Sequence, residues 1–171
     1  DIRGGQSGTA ALAAVQPALR PGVQALLFHA LRQVGRAEVL RRQLAPRTPR
    51  PPVDALLCTA LALCWDPNTA PYDAFTLVNQ TVEAAKRNTA TQAQASFINA
   101  CLRRFLRERV ALVAQTDGDA LARWNHPRWW VDRLRKDHPQ HWEQILQANN
   151  RHAPMALRIN QRKSTQVLYL Q

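Results

Sequence analysis

Arginines supply the chemistry this sequence is best equipped for. Arg32, Arg36, Arg41, Arg42, Arg103, Arg104 and Arg107 each carry a permanent charge on a planar fork of donors, and that fork matches the paired oxygens of a phosphate. Their spacing sorts them into groups. Arg32 and Arg36 stand one helical turn apart, with His29 and Gln33 on the same stripe. Arg103, Arg104 and Arg107 stand at i, i+1 and i+4, while Arg41 and Arg42 adjoin a proline-rich stretch. Sets of this kind grip a polyanion and make or break no bonds.

Other chemistries find little support. Cys58, Cys64 and Cys101 are odd in number, form no C-x-x-C pair and sit among apolar residues at helical spacing. They read as small core residues of a reducing compartment rather than nucleophiles. The histidines form no H-E-x-x-H and no cluster with cysteine at zinc-ligand spacing, so no metal is expected. Four of the six glycines lie in residues 1–22, where they cannot form the glycine-rich turn after a strand that lets backbone approach a dinucleotide-type cofactor. No catalytic residue and no bound cofactor are expected in this segment. The longest apolar runs, such as Ala55 to Trp65, fall short of the roughly 20 residues that span a bilayer. The opening Asp1-Ile2-Arg3-Gly4-Gly5 has no apolar signal core, which predicts a cytoplasmic location.

Charge points the same way as the arginines. The formal net charge is +11, unevenly spread: eight basic against two acidic groups over residues 1–53, seven of each over 54–126, and eight against three over 127–171. An excess of this size attracts polyanions over several ångströms, so RNA or DNA is the default partner. At 171 residues and 46% hydrophobic, the chain can build one core and the opening of a second domain.

The elements that must position these side chains are helices. Ala10 to Val15 suits a short helix ending before Pro17. Val23, Leu27, Leu31 and Val34 trace one face of an amphipathic helix from Val23 to Leu44. Arg41 to Pro52 is expected to connect it to the next helix, because repeated prolines remove backbone donors. Pro51 or Pro52 suits the first turn of a central helix carrying Val53, Leu56, Leu57, Ala60, Leu61 and Cys64. Tyr72 to Arg87 forms a further helix through Phe75, Val78, Val82 and Ala85. Thr91 and Gln94 fit a capping box opening a helix from about Ala93 to Val113, with Ile98, Cys101, Leu102 and Phe105 facing the core.

A break is expected at Gln115-Thr116-Asp117-Gly118-Asp119. After it, His126-Pro127-x-x-Trp130 recurs as His138-Pro139-x-x-Trp142, which predicts two short packed helices. Met155, Leu157 and Ile159 then alternate with Ala156, Arg158 and Asn160, the period of a strand.

Two stretches carry a family likeness. Phe97-Ile98-Asn99-Ala100-Cys101-Leu102-Arg103-Arg104-Phe105 resembles the Phe-x-Asn-x-x-Leu-Arg segment of the NusB family of all-helical RNA-binding domains. His126-Pro127-Arg128-Trp129-Trp130-Val131-Asp132-Arg133-Leu134, Ala148-Asn149-Asn150 and Pro154-Met155-Ala156-Leu157-Arg158-Ile159-Asn160 resemble the join between the NusB-like domain and the methyltransferase of RsmB-type enzymes. Those enzymes methylate carbon-5 of a cytosine in small-subunit ribosomal RNA with S-adenosylmethionine, using a nucleophilic cysteine and a second one for product release.

The resemblance implies an all-α fold: a NusB-like RNA-binding bundle over residues 1–114, then linker helices and the start of the methyltransferase's N-terminal subdomain over 119–171, including its first strand. It implies two partners, ribosomal RNA of the small subunit and the chain's own catalytic domain. S-adenosylmethionine belongs to the parent enzyme, and this segment positions substrate without catalysing. A NusB fold also has a helix ahead of Gly4-Gly5, without which the bundle would expose apolar surface. The alternative is a stand-alone NusB-type transcription antitermination factor, against which the strand at Leu157 to Asn160 counts.

Overall fold

The computed structural model describes residues 2–154 and 157–169, and helices dominate it. In chain order they are α1 (Gly8–Ala13), α2 (Arg20–Leu44), α3 (Pro51–Cys64), α4 (Ala74–Arg87), α5 (Ala95–Thr116), α6 (Ala120–Trp124), α7 (Arg128–Asp137), α8 (Trp142–Asn149) and α9 (Gln166–Tyr169). The fold is an all-α bundle, with no strand among the described residues. Of the expected strand, Met155 and Ala156 lie outside the described residues, and Leu157 to Asn160 form no ladder. An isolated strand leaves its N–H and C=O groups unpaired, so alternation in the sequence yields a strand only where a neighbour exists to receive it.

Helix α3 is the centre of the bundle. Pro51 opens it at a position where its missing N–H costs nothing, and Val53, Leu57, Cys58, Leu61 and Cys64 are buried along it. Helices α2, α4 and α5 pack around it. Ile98, Cys101, Leu102 and Phe105 form the buried face of α5 as their spacing predicts. Each large apolar side chain so buried contributes roughly 1.5–3 kcal/mol.

Several boundaries and faces differ from expectation. Helix α2 ends at Leu44 as expected, so Arg41 to Leu44 belong to the helix and the connector shrinks to 45–50. Its buried face is Ala30, Ala37, Leu40 and Leu44. Val23, Leu27, Leu31 and Val34 instead line an open apolar groove of about 420 Å³ with Ala55, Cys58, Ala62 and Leu63 of α3. Phe75 is 81% exposed, and Leu77, Thr81 and Ala85 carry the contact of α4 with the core.

The capping box at Thr91 does not form. The Thr91 hydroxyl donates backwards to the Ala85 carbonyl at 2.8 Å, closing the end of α4, and a 3-10 turn at Gln92–Gln94 leads into α5. A hydroxyl can donate and accept at once, so geometry decides: with Thr91 at φ −122° and ψ −15° its hydroxyl is turned back to the end of α4 and caps no N–H of the turn that follows.

Beyond α5 the chain turns back onto the bundle. Asp119 caps α6 by accepting from the N–H groups of Leu121 and Ala122. Helix α6 packs on α2, where Gly35 provides the space: a Cβ there would run into the Leu121 carbonyl oxygen and come within 3.0 Å of the Asn125 Cα. Helices α7 and α8 build a second, smaller core from Trp124, Val131, Leu134 and Leu146. Trp124 and Trp142 meet edge-to-face with centroids 4.9 Å apart, so the second His-Pro-x-x-Trp copy serves packing.

A candidate nucleic-acid interface

The expected arginines divide by what holds them. Arg41 leaves the solvent-facing set: its guanidinium is buried, with Nε 2.7 Å from Asp54 Oδ1. Asp54 also accepts from Arg3 Nη1 at 2.6 Å, and Arg3 reaches Glu38 at 3.1 Å. Arg41 therefore neutralises a buried acid in the first turn of α3. As part of α2 rather than of a connector, this residue turns inward against α3. Its neighbour Arg42 is exposed.

On α5, Arg103 and Arg107 are exposed, and Arg103 Nε donates to Asn99 Oδ1 at 3.2 Å. Arg104 pairs with Glu108 one turn on, at 3.1 Å, where both side chains are wetted. Such a pair contributes little to stability.

Arg32 and Arg36 stand at a cleft of about 270 Å³ between α2, α6 and the end of α8, which also takes in Gln33, Trp65, Arg123, Gln147, Asn150 and Arg151. Among the described residues, four arginines and no carboxylate line it. The Arg36 guanidinium lies over the Trp65 ring, 4.7 Å from its centroid. Its Nη1 donates to Thr116 Oγ1 and to Asp117 Oδ1, both at 2.6 Å. The Trp65 indole N–H in turn donates to Gln33 Oε1 at 3.0 Å. Arg36 is thereby fixed along one edge, with its charge partly balanced by Asp117.

Among the described residues no acid pairs with Arg32, Arg123 or Arg151. Arg123 has Asp119 one turn before it, but that carboxylate caps α6. The Arg123 guanidinium instead stacks on Trp124 at 4.6 Å. His29, one turn before Arg32 on α2, has its pKa held below the ordinary 6.5 by burial first and then by the charges of Arg32 and His152.

Arg123 and Arg151 did not stand out in the sequence, because they lie 28 positions apart and share no helix. The signal that bears on them is the pair of asparagines beside them. Asn125 and Asn150 bond to each other at 3.1 Å, and Asn150 Nδ2 donates to the Trp124 carbonyl at 2.9 Å, which joins the two loops.

The cysteines hold no reactive position. Burial pushes the Cys58 thiol up to about 11 and the Cys64 thiol up to about 12, and it raises Cys101 as well. Among the described residues no group of His, Cys, Asp and Glu could hold a metal ion. No helix there is long and apolar enough to cross a membrane.

The class follows from comparison. Residues 126–171 match the family model of the ferredoxin-like domain of RsmF/B-like methyltransferases. The probable ribosomal RNA small subunit methyltransferase B of Coxiella burnetii is 32% identical over 149 residues, which is 87% of this chain and 34% of that protein. The ribosomal RNA small subunit methyltransferase B of Vibrio cholerae is 31% identical over 169 residues, 96% of this chain and 39% of that protein. That of Escherichia coli O9:H4 is 41% identical over 81 residues. The chain thus spans between a third and two-fifths of the length of the first two relatives. It is an RsmB-type N-terminal region.

Proposed function

We propose that this chain is the RNA-binding, substrate-positioning segment of an S-adenosylmethionine-dependent methyltransferase acting on a cytosine carbon-5 of small-subunit ribosomal RNA in the bacterial cytoplasm. Residues 1–114 are its NusB-like bundle, and residues 119–171 lead into the domain that carries cofactor and chemistry. The observation that carries this reading is the set of exposed or cleft-lining cations that no carboxylate among the described residues pairs with, Arg32, Arg42, Arg103, Arg107, Arg123 and Arg151, in a chain whose relatives are named ribosomal RNA methyltransferases.

The physical role is to hold RNA by its phosphates and so raise its local concentration at a neighbouring active site. Leu157 to Asn160 supplies a strand once the rest of the ferredoxin-like domain gives it a partner. A stand-alone antitermination factor is the weaker reading, since residues 126–171 match a methyltransferase domain.

The test is titration of this chain into a labelled single-stranded fragment of small-subunit ribosomal RNA across a salt series, with calorimetry against S-adenosylmethionine beside it. If about five phosphates are neutralised, log affinity falls against log salt with a slope of about −3.5, and the cofactor gives no heat. Salt-insensitive binding, or none at low salt, removes the RNA-binding role; micromolar cofactor binding removes the division of labour.

A further inference from the structure

We propose that the cleft between α2, α6 and the end of α8 is a built binding site for one phosphodiester of an RNA strand, with Arg32, Arg123 and Arg151 as the charged donors and Arg36 as a pre-set edge. The inference rests on the RNA-binding reading and goes beyond it, because it places a phosphate in a concave site formed only when the chain beyond α5 folds back on the bundle.

Three observations carry it. First, the charge is concentrated and little compensated: four arginines line about 270 Å³, and among the described residues only Arg36 has an acid partner, Asp117, with no carboxylate in the lining. Like charges gathered in this way repel one another, and an anion removes that cost. Second, Arg36 is immobilised before any ligand arrives. Its ring stack on Trp65 and its bonds to Thr116 and Asp117 remove rotamer freedom that binding would otherwise have to remove. The Arg123 stack on Trp124 does the same on α6.

Third, the lining matches a phosphodiester better than an acidic peptide. Besides guanidinium groups it offers the side-chain amides of Gln33, Gln147 and Asn150 and the indole of Trp65, which suit phosphate and ribose oxygens and the face of a sugar or base. At about 30 Å³ per water molecule the cleft has room for about nine waters, enough for a phosphate and its flanking ribose but not for a duplex.

The exposed helix face at Arg103 and Arg107 is different in kind. There the cations lie along one helix surface, where they give general attraction with no walls to fix a phosphate.

The experiment compares the whole chain with R123Q/R151Q by anisotropy of a fluorescent ten-nucleotide single-stranded RNA over a salt series. R128Q/R133Q, which removes equal charge from α7, is the control. The cleft variant is expected to bind about tenfold more weakly, with a salt slope shallower by about 0.7 for the one lost phosphate. The control keeps most of its affinity. In the unsubstituted chain the Trp65 indole N–H resonance, assigned through W65F, is expected to shift on RNA addition and to stay put with polyglutamate of equal charge.

If the unsubstituted chain binds RNA but the cleft variant is unchanged, or the control loses as much, the cleft site is overturned while the RNA-binding reading stands. A Trp65 resonance unmoved at saturating RNA also overturns it. An equal shift with polyglutamate replaces the phosphodiester by an acidic peptide. No RNA binding by the unsubstituted chain overturns both readings.

Discussion

Asn125 is docked against Gly35 so that its side chain reads the backbone of α2: its Oδ1 accepts the Gly35 N–H at 2.6 Å while its Nδ2 donates to the Leu31 carbonyl at 2.9 Å. Those two backbone groups are one helical turn apart, the pair that an α-helix joins to each other. Asn125 itself ends α6 with φ of 56°, a left-handed conformation in which asparagine is favoured over most side chains. Gly35 permits the approach, and Asn125 makes it specific.

Gly35→Ala therefore tests the docking of α6. Alanine gains about 1 kcal/mol in helix propensity, but its methyl meets backbone atoms, which no rotamer change can clear. Overpacking of this kind costs about 1–3 kcal/mol, and the rigid obstacle puts this site at the upper end. The variant should melt lower, and limited proteolysis should cut sooner at the exposed turn around Gly118. A melting temperature equal to or above that of the unsubstituted chain would show that α6 stands further from α2 than described.

Asp54→Asn tests the buried charge network. Arg41 and Asp54 are both almost fully enclosed, and although Nε and Oδ1 lie 2.7 Å apart neither atom has an aligned hydrogen bond. Removing the acid leaves a buried guanidinium without its counter-charge, a loss of about 3–5 kcal/mol. Denaturant unfolding should show it. A change below 1 kcal/mol would mean that water reaches Arg41.

Arg103→Gln with Arg107→Gln should shallow the salt dependence of RNA binding by about 1.4, for two contacts to a single strand, and leave stability within about 0.5 kcal/mol. Arg104→Gln breaks only a wetted ion pair and should change stability by less than about 1 kcal/mol. An unchanged slope in the folded double variant would take α5 out of the interface.

The His29 pKa should also set a pH dependence. Burial and the charges of Arg32 and His152 hold it below the 6.5 to which it returns on unfolding. Between the two values the unfolded chain binds more protons, so this contribution to stability is full above about 6.5 and is lost as pH falls through the native value. An NMR titration midpoint at or above 6.5 would sink this prediction, as would no flattening of the stability profile in His29→Gln.

Thiol reagents should find the native protein inert. With Cys58 at about 11 and Cys64 at about 12, the thiolate fraction at pH 8 is roughly one part in a thousand to ten thousand. Mass spectrometry should find labelling only after unfolding; modification at the rate of free cysteine would show that the bundle opens readily.

Local signals determined much of this protein. The apolar spacing of α5, the proline start of α3, the end of α1 before Pro17 and the polar stripe of α2 each depend on residues within a turn or two of each other, where the helical period alone sets who shares a face. Packing decided the rest. The groove face of α2 and its buried face are both apolar enough to satisfy periodicity, and only the position of α3 selects Ala30, Ala37 and Leu40 over Val23 and Leu27. Thr91 could serve the helix before it or the one after it, and its backbone conformation turns the hydroxyl back to the Ala85 carbonyl. Arg41 and Arg36 carry the same group, yet the first neutralises an acid that α3 buries beside it while the second is stacked at a cleft. That cleft joins residues from 32 to 151. Such distant positions meet only when α6 settles on Gly35, because a helical period orders residues along one helix and carries no information about which helix lies across from it.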